Sequence, residues 1–576
     1  MIILGISEEH DSGVSIVENG RIIYSVNEER FSRSKQQGGF PKNSIEHAFM
    51  FLKSKGLEGE VKGVALASKI HTPQRLPEDL KNDSKSSYIL AISFIRFVSR
   101  SSVFLKILHN ASLVSALAIV MQIFQRDRRK RWASFLKDNS LAGVDFEIFD
   151  HHYCHATSAY FSSGFSDCFV LTFDASGDGF CSRFYKCSAG NMQLLHSLPF
   201  TQSIGYYYTI ITLSLGFKFG QEGKITGLSA RGNPKKVIPL IRERINYVSG
   251  KLRFENRGLH YSDEIDYFKQ KLANYSREDV SAAIQKCLEE DVTNYLSDMI
   301  VKFNLGRQDI ALAGGIFSNV LLNRRIADLE NIKTVFVHPN MNDGGLANGA
   351  AFALSKRLLE DYKPYEISNM YLGDEYTENE IEKEIHKYNF SYKKYENIEY
   401  EIAKLLSEKK VVARFSGRME NGPRALGNRS ILYQASNSEV NQWLNKRLNR
   451  SEFMPFAPAV MEEYANKYFV LKGQELSSRF MTMASTVTEI CRKKCPAIVH
   501  IDGTARPQIV YKDSSPKFHR IIEEYFKITG VPVIVNTSFN MHEEPIVESP
   551  KSALDAFSRG KLDYLAIHNF LVFLNN

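Results

Sequence analysis

Cysteine is scarce and unpaired in this sequence of 576 residues. There are seven, Cys154, Cys168, Cys181, Cys187, Cys287, Cys491 and Cys495, and no C-x-x-C pair among them. An odd number without repeating spacing excludes a disulfide framework and points to a reducing compartment. Cys491 and Cys495 stand four apart with no second ligand pair nearby, which argues against a zinc site. The N-terminus, MIILGIS, has neither a basic stretch nor a small-residue cleavage site, so no secretory signal is expected and the default location is the cytoplasm. No transmembrane span is expected either. A span needs about 20 apolar residues, whereas the longest nearly uncharged stretch, Ile107–Phe124, contains His109, Asn110 and several Ser and Gln residues. Two nucleotide signatures are missing too. No G-x-G-x-x-G follows the first strand, and GQEGKIT fails as a phosphate loop because Lys218 replaces the first Gly and Ile225 follows Lys224 where Ser or Thr is needed. Any ATP site must use another architecture. No internal repeat or low-complexity tract is evident.

What is present describes an ordinary globular protein, 43% apolar and 24% charged. The chain is too long for one core, so two or more domains are expected. A net charge of +8 suits anionic partners without choosing among ATP, phosphate, nucleic acid and anionic lipid. Residues 2–6 read as a buried strand, and 13–18 with 22–26 as a hairpin around Asn19-Gly20. Further strands are expected at 61–67, 144–149, 168–174, 309–313 and 334–337, with helices at 278–304 and 344–359 between them. Strands interleaved with helices predict α/β layers. From about 85 to 137 the pattern changes to two apolar segments followed by the basic QRDRRKRW, which reads as a helical insertion. Its basic face leaves contact with nucleic acid, a membrane surface or another subunit open. A linker near 360–370 precedes a new α/β unit that begins with helix Tyr400–Ser407 and strand Val411–Phe415.

The segment EIFDHHYCHATSAY places Asp150 as a helix cap before His151. His151 and His155, four apart, share one face of a helix and can ligate one ion, whereas His152 is rotated about 100° away, to support the ligands or fill the core. Asp174 ends an apolar strand before the turn ASGDG, at the strand end where ligands of α/β sheets bind. Imidazole with carboxylate suits iron, manganese or zinc better than magnesium. Glycine pairs in ALAGGIFSNVLLN and PNMNDGGLANGAA allow backbone amides to approach phosphates. In the last third, arginines sit in glycine turns: Arg414, Arg418, Arg424 and Arg429 in VVARFSGRMENGPRALGNRSIL, then Lys446, Arg447 and Arg450. HIDGTARPQIV adds His500 and Arg506, and VPVIVNTSFN adds Asn536 and Ser538. Such arginines suit bidentate capture of phosphate or carboxylate.

Taken in order along nearly the whole chain, these motifs resemble the NodU/CmcH-type O-carbamoyltransferases. The resemblance is carried by HDSGVSIVENGRI, NEERFSRSK, HHYCHATSAY, FDASGDG, QEGKITGL, GGIFSNVLLN, DGGLANGAA, NGPRALGNRSIL, HIDGTARPQIV and NTSFNMHEEPIV. It implies an actin/hexokinase-like (ASKHA) domain over 1–362, interrupted by the insertion, and a YrdC-like domain over 363–576. It implies that the second domain makes carbamoyladenylate from carbamoyl phosphate and ATP with Mg2+. The first then passes the carbamoyl group to an acceptor hydroxyl at a divalent metal, iron(II) first and manganese or zinc as alternatives. By resemblance, Asp343 joins His151, His155 and Asp174 as a metal ligand, and His10 and Asp11 lie near the acceptor. Gly314, Gly315 and Asn319 fall in the stretch that holds the adenylate. Arg506, Asn536 and Ser538 match the carbamoyl-phosphate site, with Arg424, Lys446 and Arg447 as neighbours. Met454 departs from the family pattern, which has Arg before Pro-Phe-Ala-Pro.

A mixed anhydride with AMP divides a slow transfer into two easier ones. The alternatives are a tRNA-threonylcarbamoylating enzyme, which would need threonine, and a non-catalytic ATP-binding protein, which would be expected to have lost the polar set. The acceptor, whether natural product, sugar or hydroxymethylated nucleobase, and a homo-oligomeric state stay open.

Overall fold

The first strand, β1 (Ile2–Ser7), is buried at every position, and near-continuous apolar character of this kind marks a strand covered on both faces. The computed structural model describes residues 1–70, 125–258, 261–439 and 456–574. The chain forms a mixed α/β structure of two units. The first comprises Met1–Ile23 with Gly38–Glu366, and the second Tyr24–Gln37 with Ile367–Asn576.

In the first unit, β1 pairs antiparallel with β2 (Gly13–Glu18) and parallel with β4 (Val61–Ala67). Beyond these lie β3 (Arg21–Asn27) and β5 (Asp145–Phe149), giving the order β3-β2-β1-β4-β5. A second sheet repeats the plan. β6 (Asp167–Gly177) pairs antiparallel with β7 (Phe180–Ser188) and, once past the small hairpin β9 (Ile245–Val248) and β10 (Arg253–Asn256), parallel with β11 (Gln308–Ala313). Outside them lie β8 (Asn191–Pro199) and β12 (Ile332–Val337). Both sheets run third, second, first, fourth, fifth. The sequence shows no internal repeat; the backbone does.

Two helices occupy the space between these sheets. His151–Ser163 follows β5 and packs on β6 and β11 of the other sheet, while Leu346–Leu358 follows β12 and packs on β1 and β4. They also pack on each other. A Cβ on Gly349 would lie 1.8 Å from the Cys154 carbonyl oxygen, so glycine alone permits this approach. Thr157 Oγ1 donates to the Gly349 carbonyl at 2.8 Å. Buried all round, both helices read as apolar or small-residue segments with little polar face.

The second unit is built on an eight-stranded sheet, ordered β13-β23-β22-β14-β15-β21-β16-β20. In chain order these are β13 (Phe390–Lys394), β14 (Val412–Phe415), β15 (Arg429–Gln434), β16 (Ala457–Met461), β20 (Gln508–Val510), β21 (Val533–Ser538), β22 (Tyr564–Ile567) and β23 (Phe570–Leu574). A small three-stranded sheet, β17 (Phe469–Val470), β18 (Ser485–Val487) and β19 (Thr504–Ala505), lies in the chain between β16 and β20. Helices Ile398–Ser407 and Pro516–Thr529 share one apolar cluster with the large sheet, and Glu378–Ile385 and Pro550–Gly560 share another.

Residues 24–37 were expected within a 1–362 domain, but they belong to the second unit, and the first extends to Glu366. The reason is visible in their bonds. Tyr24 donates to Asp374, Arg30 to the Gly422 carbonyl, and Arg33 to the Pro545 and Ile546 carbonyls. The EERFSRSK motif is a strap that holds two loops of the second unit. The expected apolar segments of the insertion lie outside the described residues. The basic stretch that ends it forms helix Arg126–Asp138, in which Arg128 and Trp132 face inward while Arg129, Lys130 and Arg131 are exposed; Arg128, Arg131 and Trp132 all donate to the buried carboxylate of Glu8. Arg128 and Trp132 are therefore committed inside the unit, whereas Arg129, Lys130 and Arg131 form an exposed basic face. Among the described residues, no helix is long and apolar enough to cross a membrane.

Candidate metal centre and anion site

Asp150 caps helix His151–Ser163 by accepting from the Tyr153 amide, and Arg183 holds the same carboxylate bidentately at 2.7 and 2.9 Å. This fixes the first helical turn, where His151 and His155 project together. Asp174 arrives from β6 and Asp343 from the turn that leads into Leu346–Leu358. The four side chains offer ligand atoms that all lie within 4.8 Å of one another. The imidazole Nε2 atoms of His151 and His155 stand 3.3–3.9 Å from the carboxylate oxygens of Asp174 and Asp343. Both Nε2 atoms are buried without a hydrogen-bond partner. Orphaned buried nitrogens facing two carboxylates fit a divalent cation, since burial of an unpaired polar atom is otherwise costly.

The electrostatics agree with the geometry. Burial alone would push His151 down, but Asp343 and Asp174 lift it to about 10. Burial opposes ionisation of Asp174, and the two imidazoles overcome it and hold the carboxyl well below its usual range. His152 points elsewhere, to Thr172 Oγ1 and the Phe180 carbonyl, and burial keeps it neutral.

Three residues that sequence reasoning passed over surround this cluster. Ser68 Oγ lies 3.0 Å from His151 Nδ1, which leaves Nε2 facing the two carboxylates. Asp178 accepts from the amides of Lys69, Ile70 and His151 at 2.7–2.9 Å. Asn342 donates to Asp11 Oδ2 at 2.8 Å, which places Asp11 one residue's reach from Asp343. Asp178 lay in the FDASGDG motif, but nothing local marks Ser68, whose partner is 83 positions away. His10 sits beside Asp11, 4.0 Å from its carboxylate, and packs on Phe219.

The glycine pair Gly314-Gly315 serves Asp174 directly: the Gly315 amide donates to Asp174 Oδ2 at 3.1 Å. A Cβ on Gly314 would meet the Phe173 carbonyl at 2.2 Å. Asn319 caps helix Val320–Ala327 and exchanges hydrogen bonds with Gln285. These residues therefore have structural work independent of a nucleotide.

In the second unit the expected anion residues converge from three segments. Asn536 on β21 donates to the Ala425 carbonyl and to Gln508 Oε1, joining the Arg424 loop to the strand after Arg506. Ser538 ends the same strand, opposite Ser430. Arg424 Nε has no protein partner, and desolvation pulls the guanidinium down to about 10. The neighbouring arginines are otherwise engaged. Arg414, Arg418 and Arg429 donate to main-chain carbonyls, so three of the four arginines expected to capture anions build the loop instead. Glu420, also unforeseen, gathers the amides of Leu426, Asn428 and Arg429 on one carboxylate oxygen. Lys446, Arg447 and Met454 lie outside the described residues.

The carbamoyltransferase N-terminus family model matches residues 2–352, and the carbamoyltransferase C-terminus model matches 403–573. An uncharacterized protein of Methanocaldococcus jannaschii is 29% identical over 99% of both chains, and another is 31% identical over 74% of each. Nodulation protein NolNO of Sinorhizobium fredii is 27% identical over 98% of this chain and 79% of its own. With two family models that together run from β1 to the last strand, this chain belongs to the carbamoyltransferase family.

Proposed function

We propose that the protein is an ATP-dependent O-carbamoyltransferase that works in two steps. In the second unit, water cleaves carbamoyl phosphate to carbamate and phosphate, and the carbamate attacks the α-phosphorus of ATP to give carbamoyladenylate with release of pyrophosphate. In the first, the carbamoyl group passes to an acceptor hydroxyl. The observation that carries this reading is the convergence of His151, His155, Asp174 and Asp343 beside the Asp11–Asn342 pair. The repeated strand order, with helices crossed between two sheets, supports an actin/hexokinase-like first domain, and the strap with 367–576 makes up the YrdC-like one.

His151, His155, Asp174 and Asp343 would hold the divalent cation, iron(II) before manganese or zinc by donor type. When bound, such a cation supplies Lewis-acid polarisation of the carbamoyl carbonyl. Asp11, held by Asn342, is placed to accept the hydroxyl proton of the acceptor. Arg424, with an open Nε, and Arg506 neutralise the phosphates gathered in the first step. Asn536 fixes the loop that carries Arg424 by its bond to Ala425.

The test supplies ATP, Mg2+ and carbamoyl phosphate with a panel of hydroxyl acceptors: natural-product cores, sugars and hydroxymethylated nucleosides. Mass spectrometry reads the gain of one carbamoyl group. Carbamoyl-phosphate-dependent pyrophosphate release without threonine separates this activity from threonylcarbamoylation; a strict threonine requirement would refute the proposal.

A further inference from the structure

The guanidinium of Arg128 is buried, yet it lies on a helix whose sequence reads as a solvated basic face. Its three nitrogens are all committed. Nε donates to Glu8 Oε2 at 2.6 Å, Nη1 to the Ser68 carbonyl at 2.6 Å, and Nη2 to the Ala67 carbonyl at 3.1 Å. Trp132 Nε1 and Arg131 Nη2 complete the shell around Glu8, each at 3.0 Å. A buried carboxylate met by two guanidinia and an indole is a fully satisfied network, the kind that fixes one geometry.

Both ends of this network reach the candidate centre. On one side is Ser68, held in the left-handed region at φ 65°, with its Oγ 3.0 Å from His151 Nδ1. A serine pays strain to stand there, and the bond from Arg128 to its carbonyl holds the peptide in that conformation. The amides of the next two residues are fixed by Asp178, which also binds the His151 amide. On the other side is Glu8, the first residue of the turn that carries His10 and Asp11. Asp11 in turn bonds Asn342, next to the ligand Asp343. The contacts therefore run from one ligand, His151, through Ser68, Arg128 and Glu8, and return to another, Asp343.

We infer that Arg128 is a positioning residue: it sets the His151 imidazole through Ser68 and the His10–Asp11 turn through Glu8, from one guanidinium. This rests on the metal-dependent reading given above. Lysine could not replace it, because a single ammonium cannot span the Ser68 and Ala67 carbonyls and Glu8 together. Outer partners of metal-bound histidines typically change metal affinity about 10- to 100-fold when removed.

Cobalt(II) titrated into the full-length protein tests this, read by its visible ligand-field spectrum and its affinity. Ser68→Ala and Arg128→Gln are each expected to weaken cobalt(II) binding about tenfold and to shift the spectrum. The double variant should lie within about twofold of Arg128→Gln, because the arginine acts through the serine. Carbamoyl-phosphate-dependent pyrophosphate release should stay at the wild-type rate. A folded Arg128→Gln protein with the wild-type spectrum and affinity overturns the inference, and so do losses that multiply in the double variant. If Arg128→Gln does not fold, Arg128→Lys takes its place under the same criteria. Wild-type protein that binds cobalt(II) no better than His155→Ala would instead bring down the metal reading itself, and this inference with it.

Discussion

The two five-stranded sheets of the first unit share a strand order and use the same positions for different purposes. In each, the turn between the first two strands carries an aspartate in the left-handed region, Asp11 at φ 57° and Asp178 at φ 50°. Asp178 spends its carboxylate on three backbone amides behind His151, whereas Asp11 bonds Asn342 beside the ligand cluster. In each, the fifth strand leads to a buried helix and to members of the candidate metal cluster: His151 and His155 after β5, Asp343 after β12. The symmetry is broken at the first strand. β6 delivers Asp174 to the cluster, while β1 leads to Glu8, which is neutralised by arginine and tryptophan instead. A duplicated frame fixes where side chains can be placed, and the loops decide which chemistry stands there.

The comparison can be broken most directly at the ligands. If the centre needs both halves, His155→Ala and Asp343→Asn should each lower carbamoyl transfer by about 10³-fold or more, with matching loss of bound metal measured by elemental analysis. A loss confined to one half would dissolve the symmetry. Next, Asp11→Asn should cut transfer about 10²- to 10⁴-fold, the worth of a general base, yet leave cobalt(II) affinity unchanged. Asp178→Asn, at the matching turn, should weaken the metal about 10- to 100-fold as an outer-shell change. Equal behaviour of the two aspartates would show that the turns had not diverged. Gly349→Ala forces a Cβ onto the Cys154 carbonyl where the two crossed helices meet. Overpacking of that kind costs about 1–3 kcal/mol, read as a lowered denaturant midpoint with unchanged slope.

A further effect is a pH dependence. In metal-free protein the folded His151 value of about 10 exceeds the ordinary 6.5. Its proton therefore contributes stability that is complete below pH 6.5 and lost as pH rises through 10. Thermal melts of the apo protein should decline over that window, and Asp343→Asn should flatten the decline. Metal binding has the opposite sign, because the ion must displace that proton: affinity should fall by up to about tenfold per pH unit on acidification.

Much of this was legible in the sequence. β1, the hairpin after it, β4, β5, β11 and both long helices follow apolar periodicity to within a few residues. The histidine pair could be placed by helical spacing and Asp174 by its strand end. Asp343 and Asp11 needed the family resemblance, because nothing in the local pattern distinguishes them. The repeat escaped notice because it resides in strand order, while loops and insertions erased any shared spacing. The arginines misled for a related reason. Glycine-rich turns expose carbonyls that need donors, so Arg414, Arg418 and Arg429 were drawn inward, and spacing alone cannot tell a carbonyl from a phosphate as their target. Ser68 and Arg128 act across 83 and 120 positions in sequence that only the fold closes.

The strap formed by residues 24–37 has a consequence for the order of biosynthesis. These residues are made well before their partners: Arg30 and Arg33 bond to carbonyls at 422, 545 and 546. Domains commonly fold as units during synthesis, N-terminal first. Here the second unit cannot close until residue 546 has been made, and until then Arg30 and Arg33 wait for their carbonyl partners. No single cut in the chain yields both units complete. A fragment beginning at 367 lacks the strap that holds its loops, and adding residues 24–37 back as a peptide should restore what the cut removed.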